Sequence, residues 1–331
     1  MKKKLKIGLA YDVKEDYEIS SGTWKHCDFS TLTEIKYIKE VLEERGHTVL
    51  LLGNYEKIYD MLQNKTFPQI DIVLNTAEGV ISRNRESWLP SLFEMNHIPY
   101  SGSDAYALGI ALSKIQTKIT AEYLHIPTPP HCCIFSNDDM NAAVDSLSAP
   151  WILKQNYEGS SSGVLLAETE KELKEKAEFL LNEYQQPLLC ETYIKGREYN
   201  VSLLYDGNNT YVIGTVEIVR KNGKPLDIFD VKDKFTSTCT KIPAQLPQNI
   251  CRKMEEDTVK LHKFLNFYDY NRADFRVDNN GQHYLLELNP LPSIDDESGF
   301  AKCCEYNGIK LGKALEEVLY NALKRNLRQK Q

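Results

Sequence analysis

The stretch Asn271–Ser293, NRADFRVDNNGQHYLLELNPLPS, sets an arginine and three oxygen-bearing side chains on two adjoining runs of strand character. Asn271 to Val277 alternates in polarity, Asp278-Asn279-Asn280-Gly281 is dense in turn formers, and His283 to Leu288 alternates again, so the spacing predicts one β-hairpin. With a side-chain period of two, Arg272 shares a face with Asp274, and Glu287 with Asn289. Two carboxylates, an amide oxygen and a guanidinium on one sheet surface suit Mg²⁺ and a polyphosphate. Hard cations take oxygen ligands, and Mg²⁺ divides itself between one or two carboxylates and substrate phosphates. A salt-bridged, solvent-facing sheet is the other reading of the same residues.

At 331 residues the chain is long for one core, so two or three substructures are expected. Apolar content of 42% and aromatic content of 10% are those of a globular protein. A formal charge of −7, with basic clusters only at Lys2-Lys3-Lys4 and Lys324 to Lys330, argues against a nucleic-acid footprint. No apolar run approaches the roughly 18 to 20 residues that span a membrane. The apolar run after the first lysines is too short for a secretory signal, so a cytoplasmic location and no membrane partner are expected. None of the eight cysteines is spaced as in a zinc knuckle or a thioredoxin-like motif; reduced, mostly buried thiols are expected, with the adjacent pairs Cys132-Cys133 and Cys303-Cys304 the first candidates for any redox role.

From the N-terminus, Lys4–Tyr11, Thr48–Leu52 and Ile70–Leu74 read as strands around a helix at Ser30–Arg45, whose Leu32, Ile35, Ile38, Val41 and Leu42 share a face. This is a β-α-β-α-β pattern with a parallel sheet. Ligands of such sheets lie beyond the carboxyl ends of the strands, where the polar loop Asn75–Ser87 with Glu78, Arg83 and Arg85 follows; an ordinary surface loop is the alternative. Leu112–Leu124 reads as an amphipathic helix with Ile115, Ile119 and Leu124 inward, and a domain boundary is placed near Lys114. The strand Trp151–Lys154, the turn Glu158–Gly163 and the strand Val164–Ala167 form a hairpin whose glycines and serines let backbone N–H groups approach phosphates, unless the turn is merely flexible. A helix at Glu170–Tyr184 leads into the apolar strand Pro187–Ile194. Strands from Gly196 and Tyr211, a lysine-bearing loop at Asp227–Thr240, a helix near Pro247–Leu265, the hairpin and a last helix at Gly308–Arg325 complete the chain.

Taken in order, Leu112-Ser113-Lys114, the Lys154 strand with its Gly/Ser turn, Glu191-Thr192-Tyr193-Ile194, Gly196-Arg197-Glu198, Lys232, Arg272-Ala273-Asp274 and Glu287-Leu288-Asn289-Pro290 resemble an ATP-grasp enzyme of the D-alanine:D-alanine ligase branch. The resemblance covers nearly everything from Asn75 onward. It implies a mixed α/β and α+β architecture: an N-terminal βαβ substrate domain (1–113), a central ATP-grasp subdomain (114–195) and a C-terminal catalytic subdomain (196–331). The implied activity is ATP-dependent amide formation between two amino-acid-like substrates through an acyl phosphate, with Mg²⁺, two ions in the family and replaceable by Mn²⁺, and a homodimer as the assembly.

Residue by residue, Lys114 and Lys154 resemble the family's nucleotide-phosphate lysines, and Gly159, Ser160, Ser161 and Ser162 the loop that covers the phosphates, Ser160 at the reacting end. Glu191, Thr192 and Ile194 resemble the adenine hinge, Glu198 the ribose carboxylate and Lys232 the γ-phosphate lysine. Asp274, Glu287 and Asn289 resemble the Mg²⁺ ligands, Arg272 the arginine of the tetrahedral transition state, and Ser298 lies near the family's substrate-carboxylate serine. On the acceptor side the chain departs from the pattern. Ala10-Tyr11-Asp12-Val13-Lys14 stands where the family has a Gly-Gly turn followed by a glutamate and a serine, Thr76-Ala77-Glu78-Gly79 replaces a His-Gly, and Asp233 replaces a tyrosine. These departures lead to the expectation that the substrates are not simply two D-alanines, with Glu78, Arg83 and Arg85 as substrate contacts. The standard D-alanine dipeptide ligase is the alternative, followed by an ATP-grasp phosphotransferase or a non-catalytic nucleotide-binding protein.

Overall fold

The computed structural model describes residues 3–17, 28–80, 82–222 and 238–328. Lys232 and Asp233 lie outside the described residues, as does most of the loop Asp227–Thr240. Strands β1 (Lys6–Ala10), β2 (Thr48–Gly53) and β3 (Ile72–Asn75) form a parallel sheet in the order β2-β1-β3, with α1 (Leu32–Glu43) and α2 (Tyr55–Gln63) as the crossovers. Helix α1 starts where Thr31 and Glu34 form a capping box, and it buries Ile35, Ile38 and Leu42. Leu32, expected on the same face, is 40% exposed because it stands at the first helical position, ahead of the packed turns.

Helices α3 (Trp88–Met95), α4 (Ala105–Leu112) and α5 (Lys114–Tyr123) follow. The helix expected from Leu112 begins two residues later, after Ser113 leaves helical geometry and caps Gln116. The expected inward face is also displaced. Ile119 is 51% exposed, while Lys114, Thr117, Lys118 and Ala121 are buried. Helix α5 turns charged groups inward because ionic partners await them there.

A four-stranded antiparallel sheet in the order β4-β7-β5-β6 comprises β4 (His131–Ile134), β5 (Trp151–Gln155), β6 (Leu165–Ala167) and β7 (Leu188–Thr192). Helices α6 (Met140–Ser146) and α7 (Glu170–Tyr184) cover it through Met140, Ala143, Leu173, Ala177 and Leu180. The largest sheet, in the order β10-β9-β8-β11-β12, contains β8 (Gly196–Tyr205), β9 (Thr210–Arg220), β10 (Cys239–Pro243), β11 (Tyr270–Asp278) and β12 (His283–Asn289). Period-two alternation lets it bury both faces. Tyr199, Val201, Ala273 and Phe275 meet Met254 and Leu261 of α8 (Gln248–Phe264), while Tyr270 on the other face packs with Phe300 of α9 (Gly299–Tyr306) and Leu315 of α10 (Leu311–Arg328). That second cluster runs on into Ile7, Leu9, Ile35 and Leu42, so α10 seats the parallel sheet against the large one. At the end of α10, Arg325 pairs with Asp269 at 3.1 Å and donates to the carbonyls of Tyr100 and Gly102.

The described cysteines form no disulfide; Cys190, Cys303 and Cys304 are buried, whereas Cys132 and Cys133 of β4, Cys239 and Cys251 are only half-buried, against the expectation of mostly buried thiols. Among the described residues no helix is long and apolar enough to cross a membrane.

Candidate active site

Strands β11 and β12 pair antiparallel with Arg272 opposite Asn289 and Asp274 opposite Glu287, and a bulge follows Asp274. The four side chains therefore share one face. Arg272 forks onto Asp274, Nε to Oδ1 at 2.8 Å and Nη2 to Oδ2 at 2.8 Å, leaving Nη1 outside the fork. Asn289 donates to the same carboxylate at 3.2 Å, and Asn200, opposite Asp274 on β8, at 2.7 Å. The hairpin is ion-paired, yet it is turned inward: the side chains of Arg272 and Asp274 are only 18% and 15% exposed. Burial pushes Asp274 up to about 6, against Arg272 and with the charge of Glu287 adding to the rise. Burial would raise Glu287 as well, but Lys114, Arg272 and Lys154 hold it below the usual carboxylate range. Two part-buried carboxylates and an amide oxygen so placed fit a hard divalent cation.

Gly299 makes this packing possible, since a Cβ there would stand 2.6 Å from Asn200 Oδ1 and 3.3 Å from Arg272 Cδ. Ser298 precedes it as the cap of α9, its Oγ accepting from the Ala301 N–H at 3.1 Å and donating to the Asp295 carbonyl at 2.7 Å.

Beside the hairpin, Lys154 on β5 and Lys118 on α5 both pair with Glu191 on β7, Lys118 at 2.5 Å. Burial would raise Glu191, but the two lysines hold it down to about 2, while burial pushes Lys118 down to about 8 against the pull of Glu191. Lys114, one helical turn before Lys118, donates to the Glu158 carbonyl and lies 3.8 Å from Glu287. The Glu158–Gly163 turn carries Ser160 at φ +54°, Ser161 at +61° and Gly163 at +66°. Consecutive left-handed non-glycine residues are strained, a condition that clusters at ligand clamps. Ser162 contacts the Tyr184 hydroxyl at 3.1 Å.

In the hinge stretch the Thr192 and Tyr193 N–H groups donate to the Pro130 and Pro150 carbonyls, at 2.9 and 2.8 Å. Arg276 donates to the Ile194 carbonyl at 3.1 Å, pairs with Glu198 and lies over the Tyr193 ring. The expected hinge and ribose residues are thus joined by one arginine of β11.

Beyond β3, Arg85 is enclosed by carboxylates: Asp28 at 2.6 Å, Glu78 at 3.8 Å and Glu86 at 3.9 Å. Gly79, at φ +72°, passes so close that a Cβ would be 2.6 Å from the Arg85 carbonyl, and its N–H donates to Asp12 at 2.8 Å. Burial raises Glu78 well above the usual range and Glu86 to about 7. The structure brings Glu78 and Arg85 together, whereas Arg83 stands apart over the Tyr157 ring at 5.8 Å. This acidic loop borders the Gly/Ser turn, since a Cβ on Gly159 would lie 3.2 Å from Asp28 and 3.7 Å from Arg85. Lys118, Asn200, Arg276, Asp28 and Glu86 join the site without a motif of their own; the one local signal is the four-residue step from Lys114 to Lys118.

Residues 122–320 match the family described as D-ala D-ala ligase C-terminus. A D-alanine–D-alanine ligase from Bordetella avium is 31% identical over 322 residues, 96% of this chain and 94% of that protein. The crystal structure of D-alanine–D-alanine ligase from Bacillus anthracis superposes with a TM-score of 0.76 at 22% identity, covering 98% of this chain and 99% of that one. A D-Ala:D-Ser ligase from Enterococcus faecalis gives 0.75 at 17% identity, covering 97% and 100%. Fold and site define an ATP-dependent carbon–nitrogen ligase of the ATP-grasp superfamily. Within that superfamily, the chain belongs to the D-alanine–D-alanine ligase family.

Proposed function

We propose that the chain joins two D-amino acids into a dipeptide at the expense of ATP, with D-alanyl-D-alanine as the product. The names of its relatives, D-alanine–D-alanine ligases, support this standard reading over the expectation of other substrates. The observation that carries it is the quartet Arg272, Asp274, Glu287 and Asn289 on one sheet face, with Lys114 and Lys154 beside it.

A carboxylate is a poor electrophile. The carboxylate of the first amino acid attacks the γ-phosphorus, the bond to the β-phosphate oxygen breaks, and ADP leaves an acyl phosphate. The amine of the second amino acid then adds to the acyl carbon, loses a proton and expels phosphate. Phosphoryl transfer asks the protein mainly for positioning and charge neutralisation. In this reading Lys114 and Lys154 face the phosphates, the turn Gly159 to Ser162 lies over them, and Lys232 serves the γ-phosphate. The hinge backbone at Glu191, Thr192 and Ile194 borders adenine, and Glu198, oriented by Arg276, meets the ribose. Asp274, Glu287 and Asn289 would hold Mg²⁺, or Mn²⁺ in its place, and the ion would supply positive charge for phosphoryl transfer. Arg272 turns a donor toward the oxyanion of the second step, and Ser298 with the N-terminus of α9 serves a substrate carboxylate.

The acidic loop belongs to the amino-acid side, where ammonium groups must be held. As pH rises through about 7, Glu86 ionises and the loop gains a negative charge. The KM for the amino acid is expected to fall several-fold between about pH 6 and 8, on the order of 1 kcal/mol for one partly screened charge. In Glu86→Gln that fall should vanish, which steady-state kinetics across the range checks. The function itself is tested by phosphate release with pairs of amino acids of both hands. Release with D-alanine alone is expected, whereas turnover confined to another pair would remove D-alanine as the substrate.

A further inference from the structure

Glu191 is the only carboxylate paired with both Lys118 and Lys154 among the described residues, one lysine on each oxygen. Two ammonium groups against one carboxylate leave a surplus positive charge within this triad, which the more exposed Glu287, the proposed metal ligand, faces from β12. The surplus sits among side chains that are 0% exposed at Lys118, 2% at Glu191 and 12% at Lys154. A surplus charge at such a depth is costly unless an anion joins it. Lys154 alone of the three reaches solvent appreciably. Lys118 is fixed from a further direction, donating to the Leu285 carbonyl of β12 at 2.7 Å, two residues before Glu287. Its helix also carries Lys114, which touches the Gly/Ser turn and approaches Glu287.

We infer that Lys118 is a positioning residue for the nucleotide: as the buried counterion of Glu191, it leaves the positive charge of Lys154 available to phosphate. The inference rests on the ATP-site reading above. Without Lys118, Glu191 and Lys154 would cancel, and Lys154 would be held on the carboxylate. The ion pair would then compete with phosphate for the same ammonium. Phosphate binding of this kind is shared by ground and transition states, so its loss raises KM with little change in kcat. Lys118 touches no reacting group, and its effect is routed through Glu191.

The test measures affinity for a non-hydrolysable ATP analogue by calorimetry, with KM and kcat, in Lys118→Met, Lys118→Met/Glu191→Gln and Lys154→Ala. Lys118→Met should weaken analogue binding and raise the ATP KM by roughly tenfold, with kcat at saturating ATP held within about threefold. The double variant removes both charges and should recover to within about threefold of the parent affinity, a non-additivity that a packing role does not produce. Should Lys118→Met fail to fold, the double variant decides alone: near-parental affinity upholds the inference, and a loss as large as that of Lys154→Ala overturns it. Unchanged affinity in Lys118→Met, with Lys154→Ala strongly weakened, overturns the inference and leaves the ATP site standing. Unchanged affinity in Lys154→Ala as well overturns the site reading with it.

Discussion

Glu287→Gln is expected to lower ADP formation by at least about a thousandfold, ~4 kcal/mol of transition-state stabilisation at 1.36 kcal/mol per decade. The side chain keeps its shape and loses its charge. Opposite Asp274 in the register and 3.8 Å from Lys114, Glu287 stands where metal, phosphate and lysine would converge, so one missing charge is felt by all three. Stability should change little, because the side chain is 31% exposed and its lysine contact is long. A melting temperature within about 2 °C of the parent is expected, the span of a surface-like substitution in a chain of this size. Turnover near the parent rate would remove Glu287 from the site.

Arg272→Met should slow dipeptide formation by roughly two to three orders of magnitude, the usual cost of losing one donor to a developing oxyanion. Its signature separates the two chemical steps. The acyl phosphate does not need the oxyanion donor, so a rapid burst of ADP should precede slow amide formation in a quenched-flow experiment. Asp274 retains Asn200 and Asn289 as donors in the variant, which favours survival of the carboxylate pair. Equal slowing of both steps would place Arg272 in phosphate binding.

The hairpin was legible because a period of two and a turn-forming tetrapeptide are local signals; the pairing of Arg272 with Asn289 and Asp274 with Glu287 is not local, since it is the bulge after Asp274 that shifts the register by one residue and brings Glu287 onto the face of Asp274. Helix α7 was legible for the same reason: Thr169 caps it and one stripe of apolar residues faces the sheet. The short helix α4 was not read, because AYALGIAL is apolar all round and carries no amphipathic signal. Of the expected inward face of α5, Leu124 is buried and Ile115 half-buried, but Ile119 points outward. An apolar stripe is normally the buried one, but here Lys118 is buried by partners distant in sequence, the Leu285 carbonyl lying 167 residues away. Asn200 and Arg276 look like ordinary members of alternating strands, and their roles exist only once β8 and β11 are side by side. Arg85 read as a loop charge open to substrate, because nothing local reveals that Asp28, Glu78 and Glu86 close around it. The departures in that loop suggested unfamiliar substrates, whereas the relatives are named for D-alanine.

The central claim is that a carboxylate is activated by phosphoryl transfer and then captured by an amine. Its most direct test uses D-alanine labelled with ¹⁸O in the carboxylate, together with ATP and Mg²⁺, followed by mass spectrometry of the released phosphate. An acyl-phosphate route predicts one labelled oxygen carried from the amino acid into each phosphate, in step with dipeptide formation. Unlabelled phosphate accompanying the dipeptide, or ADP released without any amide product, would contradict the account.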